Sequence, residues 1–344
     1  MPAPAAELID RAVAAGVVPG AVLAAGLRTA EPLLWHVAGD AQRDAAATRP
    51  MTADTVFDLA SLTKVVATTP CLLRLAARGE VGLDEPVRRY LPAFTGKDQV
   101  TVRHLLTHTS GLPGQRRYYR YWHDPASIRA AALAEPLIAR PGTAFCYSDA
   151  GFIVLGELAA AVAGCGLDEL VQEVVCAPLG LDRTRYLPPA SWGFAATEPA
   201  DGVARVGVVH DENAAALGGV AGHAGLFGTA ADLARYAAAW VRGDWPAEAL
   251  RGQTEGLGGR RGLGWGLRGD PWDNMGDGWP ASGAGHTGFT GTSLSLDPDS
   301  GLWAVLLTNA VHFGRGPEHS VVGLRQQVHA AVAEEAGAQL RRGR

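Results

Sequence analysis

The chain has 344 residues, of which 47% are hydrophobic and 19% charged, and it carries a formal net charge of −5. This is a globular balance, too apolar for a disordered chain, and no window approaches the ~18 uninterrupted apolar residues of a membrane span. The mildly acidic balance, with no basic run beyond Arg341, Arg342 and Arg344, argues against a nucleic-acid partner.

The length exceeds the ~250–300 residues at which single cores stop growing, so two lobes are expected. The first ten residues lack a charged segment followed by an apolar one, and so do not read as a signal peptide. Cys71, Cys146, Cys165 and Cys176 show no metal spacing and read as buried thiols. Together these features lead to the expectation of a cytoplasmic protein, although a processed secreted form would share them.

In chain order, Leu8, Ile9, Ala12 and Val13 have helical spacing and Gly16 closes that helix. Residues 21–27 and 33–38 are apolar runs flanking a Pro32-containing turn, the pattern of a strand hairpin. Residues 60–200 read mostly as helices and loops, and the Gly/Trp-rich stretch 256–288 as loops near a cleft mouth. Residues 292–296 and 302–308 form a second hairpin around Asp297, Pro298, Asp299, Ser300 and Gly301. A final helix is expected over 320–335. The assembly that follows is an α/β (α+β) fold, with an antiparallel sheet built from both chain ends (1–60 and 200–344), covered by helices. A mainly helical lobe (61–199) is inserted, and the active-site cleft lies between the two.

The sharpest chemical signal is Ser61-Leu62-Thr63-Lys64, since Lys64 and Lys97 are the only lysines among 30 basic residues. An arginine stays protonated and cannot take a hydroxyl proton, whereas a desolvated lysine can be pushed toward neutrality. Leu62, Val65, Val66, Thr69, Leu72, Leu73 and Ala76 repeat at three and four, so Ser61 and Lys64 share one helix face near its N-terminus. Pro70 is expected to kink that helix against the Val66 carbonyl. Tyr147, on a turn before an apolar helix over 151–163, is a candidate proton relay, although a tyrosine there also serves simply as packing. His286, Thr287, Gly288, Phe289 and Gly291 lead into the C-terminal hairpin, where glycines let a substrate lie against the backbone and an exposed N–H can serve an oxyanion.

Several other readings fail. Gly283, Gly285 and Gly288 match a dinucleotide fingerprint, but a strand follows instead of a helix, so no nucleotide cofactor is expected. There is no G-x-S-x-G elbow. His104 and His108 lack a third ligand, and the loop from Asp273 to Gly278 lacks the closing Glu of a calcium site, so no metal is expected. The polar run His210, Asp211, Glu212, Asn213 reads as a hydrogen-bonded loop.

Ser61-x-x-Lys64, Tyr147-x-Asp149 and His286-Thr287-Gly288, with residues 103–112 and 219–227, resemble the serine β-lactamase and penicillin-binding-protein superfamily over nearly the whole chain. The detail is similar to its class C β-lactamase, esterase and D-alanyl-D-alanine carboxypeptidase branch. That resemblance implies a β-lactamase/transpeptidase-like fold and an acyl-enzyme formed on Ser61. It also implies that Lys64 and Tyr147 share proton transfer, and that the N–H groups of Ser61 and Phe289 form an oxyanion hole. Asp149, His286, Thr287 and Gly288 would then contact a small-molecule or peptide substrate. Asp149 stands where the branch often has Asn, and His286 where it often has Lys. An ionised Asp accepts but cannot donate to a substrate amide, and His weakens a fixed positive charge. The expected activity is therefore on esters or D-amino-acid peptides. A β-lactamase is the alternative, and a penicillin-binding sensor or pseudoenzyme a second one.

Overall fold

The computed structural model describes residues 4–45, 47–200 and 203–342; Gly343 and Arg344 of the basic tail, and Met1 to Ala3 of the N-terminal segment, lie outside them. Helix α1 (Ala5–Ala14) leads into strands β1 (Gly20–Leu27), β2 (Leu34–Arg43) and β3 (Thr48–Pro50). The segment that carries Ser61 ends in α2 (Thr69–Ala77), and α3 (Asp149–Ala163) follows Tyr147. The chain returns through α4 (Ala230–Arg242), β4 (Gly266–Leu267), β5 (Ala284–Thr287), β6 (Ser293–Asp297), β7 (Leu302–Thr308) and α5 (Val322–Arg342). Helix α5 runs further toward the C-terminus than the 320–335 expected.

The seven strands form one sheet in the order β3-β2-β1-β7-β6-β5-β4, every neighbouring pair antiparallel. Both hairpins form as read, and they are joined by β1 against β7, from Ala21 opposite Thr308 to Leu27 opposite Leu302. Alternation along β1 assigns its two faces. Ala21, Leu23 and Ala25 pack with Ile9 of α1 and Val328 of α5, while Val22 and Ala24 join a cluster with Leu233 and Tyr236 of α4. That second cluster continues without a break through Leu62, Val66, Leu155 and Leu226, so the helical lobe shares its core with the sheet. No single helix among the described residues is long and apolar enough to cross a membrane. The apolar α3 is accounted for as core, with Phe152, Val154, Leu155 and Leu158 fully buried.

The segment from Ser61 to Ala77 is not one kinked helix. Ala60–Leu62 is a 3-10 turn, Lys64–Thr68 a π turn, and only Thr69–Ala77 is α-helical. Widening to the π register sends the Thr69 N–H to the Lys64 carbonyl and makes room for the ring of Pro70. In that register the Val65 carbonyl would pair with residue 70, a proline without an N–H; the Tyr236 hydroxyl donates to it instead. Pro70 is thus accommodated by the π turn that begins at Lys64, and the Lys64 and Val65 carbonyls both keep a donor.

Candidate active site

Ser61 follows Ala60, one of few non-glycine residues with positive φ (46°). Such a conformation is costly and persists only where the surroundings enforce it. Asp58 enforces it here: its buried carboxylate accepts from the Ala60 N–H at 2.8 Å and from the His210 N–H at 2.7 Å. Burial nonetheless pushes the Asp58 carboxyl above its ordinary value, the two N–H bonds opposing that shift only in part. The sequence reading missed Asp58; its position three residues before the serine was the available signal.

Lys64 is fully buried, and its nitrogen has three acceptors around it: Ser61 Oγ at 3.0 Å, the His223 carbonyl at 3.1 Å and Asp149 Oδ1 at 2.8 Å. Three acceptors match the three protons of an ammonium. Burial alone would favour the neutral amine, but Asp149 and Tyr147 outweigh it and Lys64 is held above its ordinary value. Desolvation can push a lysine toward neutrality, but at Lys64 the carboxylate of Asp149 supplies a compensating charge.

His223 reaches Lys64 because the loop carrying it lies directly on α3: a Cβ on Gly222 would fall 2.0 Å from the Phe152 carbonyl oxygen. Thr68 donates to the Gly222 carbonyl at 2.6 Å, and His223 Nε2 meets Asp211 at 2.8 Å, fixing that loop at two successive residues. Residues 219–227 were recognised only through the family resemblance, not for this contact.

Tyr147 lies over the Lys64 nitrogen, 5.0 Å from nitrogen to ring centre. Its ring packs, tilted by 33°, against His108 at 4.4 Å and meets Trp272 at 5.2 Å and His286 at 6.0 Å. His108 Nδ1 accepts from the Ser148 N–H at 3.0 Å, and burial, with Arg261 and Lys64 nearby, keeps its ring well below the usual histidine range. His104 instead closes a capping box with Thr101. The cap of α3 is Ser148, whose Oγ accepts from the Gly151 N–H at 3.1 Å, so Asp149 opens the helix without capping it.

His286, Thr287, Gly288 and Phe289 line a cavity of about 430 Å³ together with Ser61 and Tyr147. The His286 Nδ1–H donates to the Thr287 carbonyl at 2.9 Å, and burial, reinforced by Lys64 and Arg261, holds the ring well below its ordinary value. His286 is therefore neutral and adds no fixed charge. Asp149 does not line that cavity; its carboxylate is committed to Lys64.

The turn carrying Phe289 is fastened to the segment before Ser61. Thr290 donates to the Asp58 carbonyl at 2.8 Å and Thr292 to the Leu59 carbonyl at 3.1 Å. Among the described residues, neither the Ser61 N–H nor the Phe289 N–H has a protein acceptor. Both are thus available to an oxyanion between two segments held in fixed relation. The Phe289 side chain is exposed and held between His210, stacked at 5.7 Å, and the guanidinium of Arg315 at 5.4 Å. Arg261, buried and paired with Asp270 at 2.9 Å, lies beneath the rings of Phe145, Tyr147 and Trp272. Sequence reasoning found no reason to single out either arginine.

Residues 5–325 match the sequence profile of the family described as Beta-lactamase. An Escherichia coli (strain K12) protein named "Putative D-alanyl-D-alanine carboxypeptidase" is 32% identical over 306 residues, covering 76% of this chain and 70% of the relative. The N-acetylmuramyl-L-alanine amidase of Bacillus subtilis (strain 168) is 33% identical over 354 residues, covering 89% and 80%. Among solved structures, EstCE1, a hydrolase with promiscuous acyltransferase activity, superposes with a TM-score of 0.77 at 24% identity, covering 96% of this chain and 97% of that one.

Proposed function

This chain belongs to the β-lactamase family and is a serine hydrolase of that fold; from that premise we propose that Ser61 is the nucleophile of an acyl-enzyme mechanism on esters or D-amino-acid peptides. The observation that carries the reading is the arrangement of Ser61 Oγ, Asp149 and the His223 carbonyl around the Lys64 nitrogen, within 3.1 Å. Ser61 Oγ attacks the acyl carbonyl, and the carbonyl oxygen takes up negative charge facing the N–H groups of Ser61 and Phe289. With three acceptors served, Lys64 rests as the proton donor of the pair, and Tyr147 is the relay: its oxygen accepts the serine proton as its own phenolic proton moves toward the leaving group. The bond to the alcohol or amine then breaks as the leaving group takes that proton. Water repeats the sequence on the ester of Ser61 and frees the acid.

A cavity of about 430 Å³ suits a small acyl compound or the end of a peptide. The names of the relatives, a carboxypeptidase and an amidase, favour acyl groups bonded to amines, and EstCE1 is a hydrolase. Efficient β-lactam turnover is the alternative reading. It is disfavoured because neutral His286 offers no fixed charge to a carboxylate.

The test is Ser61→Ala against a panel of p-nitrophenyl esters, D-Ala-D-Ala peptides and a chromogenic cephalosporin, with fluorophosphonate labelling followed by mass. Loss of all turnover and all labelling is expected, because among the described residues no other serine has a lysine nitrogen beside its hydroxyl: Lys97 bonds the Leu133 and Glu135 carbonyls. Labelling retained at another serine overturns the assignment. A persistent acyl adduct without turnover in the unmodified protein would identify a sensor in place of a hydrolase.

A further inference from the structure

Arg325, on the first turn of α5, is buried to 6% exposure, and no carboxylate pairs with it among the described residues. Its Nη2 donates to the Gly288 carbonyl at 2.7 Å and to the Thr292 carbonyl at 2.9 Å, while its Nε has no partner. An arginine placed only for stability would be expected to have a carboxylate, because a buried, uncompensated charge is costly. Burial pulls its ionisation down to about 10, which leaves it cationic at neutral pH.

The Gly288 carbonyl belongs to the same peptide group as the Phe289 N–H. A cation donating to the oxygen of a peptide group draws electron density from its nitrogen, so the N–H at the other end becomes a stronger donor. The second bond, to Thr292, closes the other side of the turn, and Gly288 N–H to Thr292 O at 2.8 Å completes it. There is no room for adjustment: a Cβ on Gly288 would fall 2.1 Å from Thr292 Oγ1 and 2.5 Å from the Leu59 carbonyl oxygen. The C-terminal helix thus holds and polarises a turn whose other face meets the nucleophile segment.

We propose that Arg325 is a positioning residue for acyl transfer, acting through the Gly288–Phe289 peptide group to strengthen and aim the N–H that receives the oxyanion. Its charge is felt most when the substrate oxygen becomes negative, so it acts on the transition state more than on bound substrate. The inference rests on the assignment of Ser61 as nucleophile and of the Phe289 N–H as oxyanion donor.

The experiment compares Arg325→Gln and Arg325→Lys with the unmodified enzyme on a p-nitrophenyl ester, reading kcat and KM separately. It adds infrared difference spectra of the ¹³C-labelled acyl carbonyl on Ser61. Arg325→Gln is expected to lower kcat by about 10- to 100-fold, less than the ~10²–10³ for deleting an oxyanion donor outright, with KM within threefold. The acyl carbonyl band should move to higher frequency. Arg325→Lys keeps the charge and a donor and should fall between the two in both readouts; it carries the test alone if the Gln protein does not fold. An unshifted carbonyl band, or a kcat within threefold of the unmodified enzyme, overturns the proposal. Because Ser61→Ala reads the nucleophile independently, a failure confined to Arg325 leaves that assignment standing, whereas retained labelling in Ser61→Ala removes both.

Discussion

The carboxylate of Asp149 lies 2.8 Å from the nitrogen of Lys64. This pair links the first residue of α3 to the π turn that follows Ser61, and its negative charge favours the protonated form of Lys64. An aspartate in this position therefore acts first on Lys64.

Asp149→Asn should change acylation by a p-nitrophenyl ester and by a cephalosporin in parallel, because the carboxylate works through a lysine common to both reactions. A ratio of the two acylation rates shifted more than about tenfold, ~1.4 kcal/mol, would mean that residue 149 touches the substrate amide directly. The same variant should be destabilised by about 1–3 kcal/mol at neutral pH, since a buried ammonium loses its counter-charge while Asn keeps an acceptor. Lys64 is raised in the folded protein, so this contribution is fully present below the unfolded lysine value near ~10.4 and is lost as pH rises through the higher folded value. Urea unfolding of both proteins should give a constant gap from neutral pH up to about pH 10, and the gap should close above it.

Lys64→Arg should be nearly as damaging as Ser61→Ala. The three acceptors converge on one nitrogen in a site with no exposure, and a planar, larger guanidinium cannot meet all three. Steady-state ester hydrolysis is the measurement. Activity above about a tenth of the unmodified enzyme would reduce Lys64 to a simple electrostatic contact.

Tyr147→Phe keeps the ring against His108 and Trp272 and removes only the hydroxyl. Turnover should fall by about 10²- to 10⁴-fold with little change in thermal midpoint. A near-normal rate would assign Tyr147 to packing.

Asp211→Asn tests the loop that brings the His223 carbonyl to Lys64. Burial opposes the Asp211 charge, but His223 and the Ala214 N–H outweigh it and hold the carboxyl well below its ordinary value. A depressed carboxyl contributes stability above the unfolded value near ~3.9, and that contribution is lost as pH falls through the lower folded value. The variant should lose about 1–2 kcal/mol at neutral pH, a figure discounted because the side chain is 30% exposed. The difference from the unmodified protein should shrink only below about pH 4. A gap that persists unchanged into strong acid would show that the pair is not what holds the loop.

Local pattern in the sequence determined the two hairpins, α1, the apolar helix after Tyr147 and the serine–lysine spacing, because each depends on neighbours a few residues apart. The rarity of lysine made Lys64 conspicuous, and the family motifs placed Tyr147 and residues 286–289 in the same site. Tertiary structure decided the electrical character of that site. Whether Lys64 is neutral or charged depends on Asp149, eighty-five positions away and brought within 2.8 Å only when α3 packs against the nucleophile segment. The same holds for the His223 carbonyl, delivered by the close approach of Gly222 to α3, and for Arg325, delivered by a helix at the far end of the chain to the carbonyl of Gly288. Burial and Coulomb interaction act through space, so the charge states and the donors of the oxyanion turn follow from the packing of distant segments, which the sequence pattern does not display.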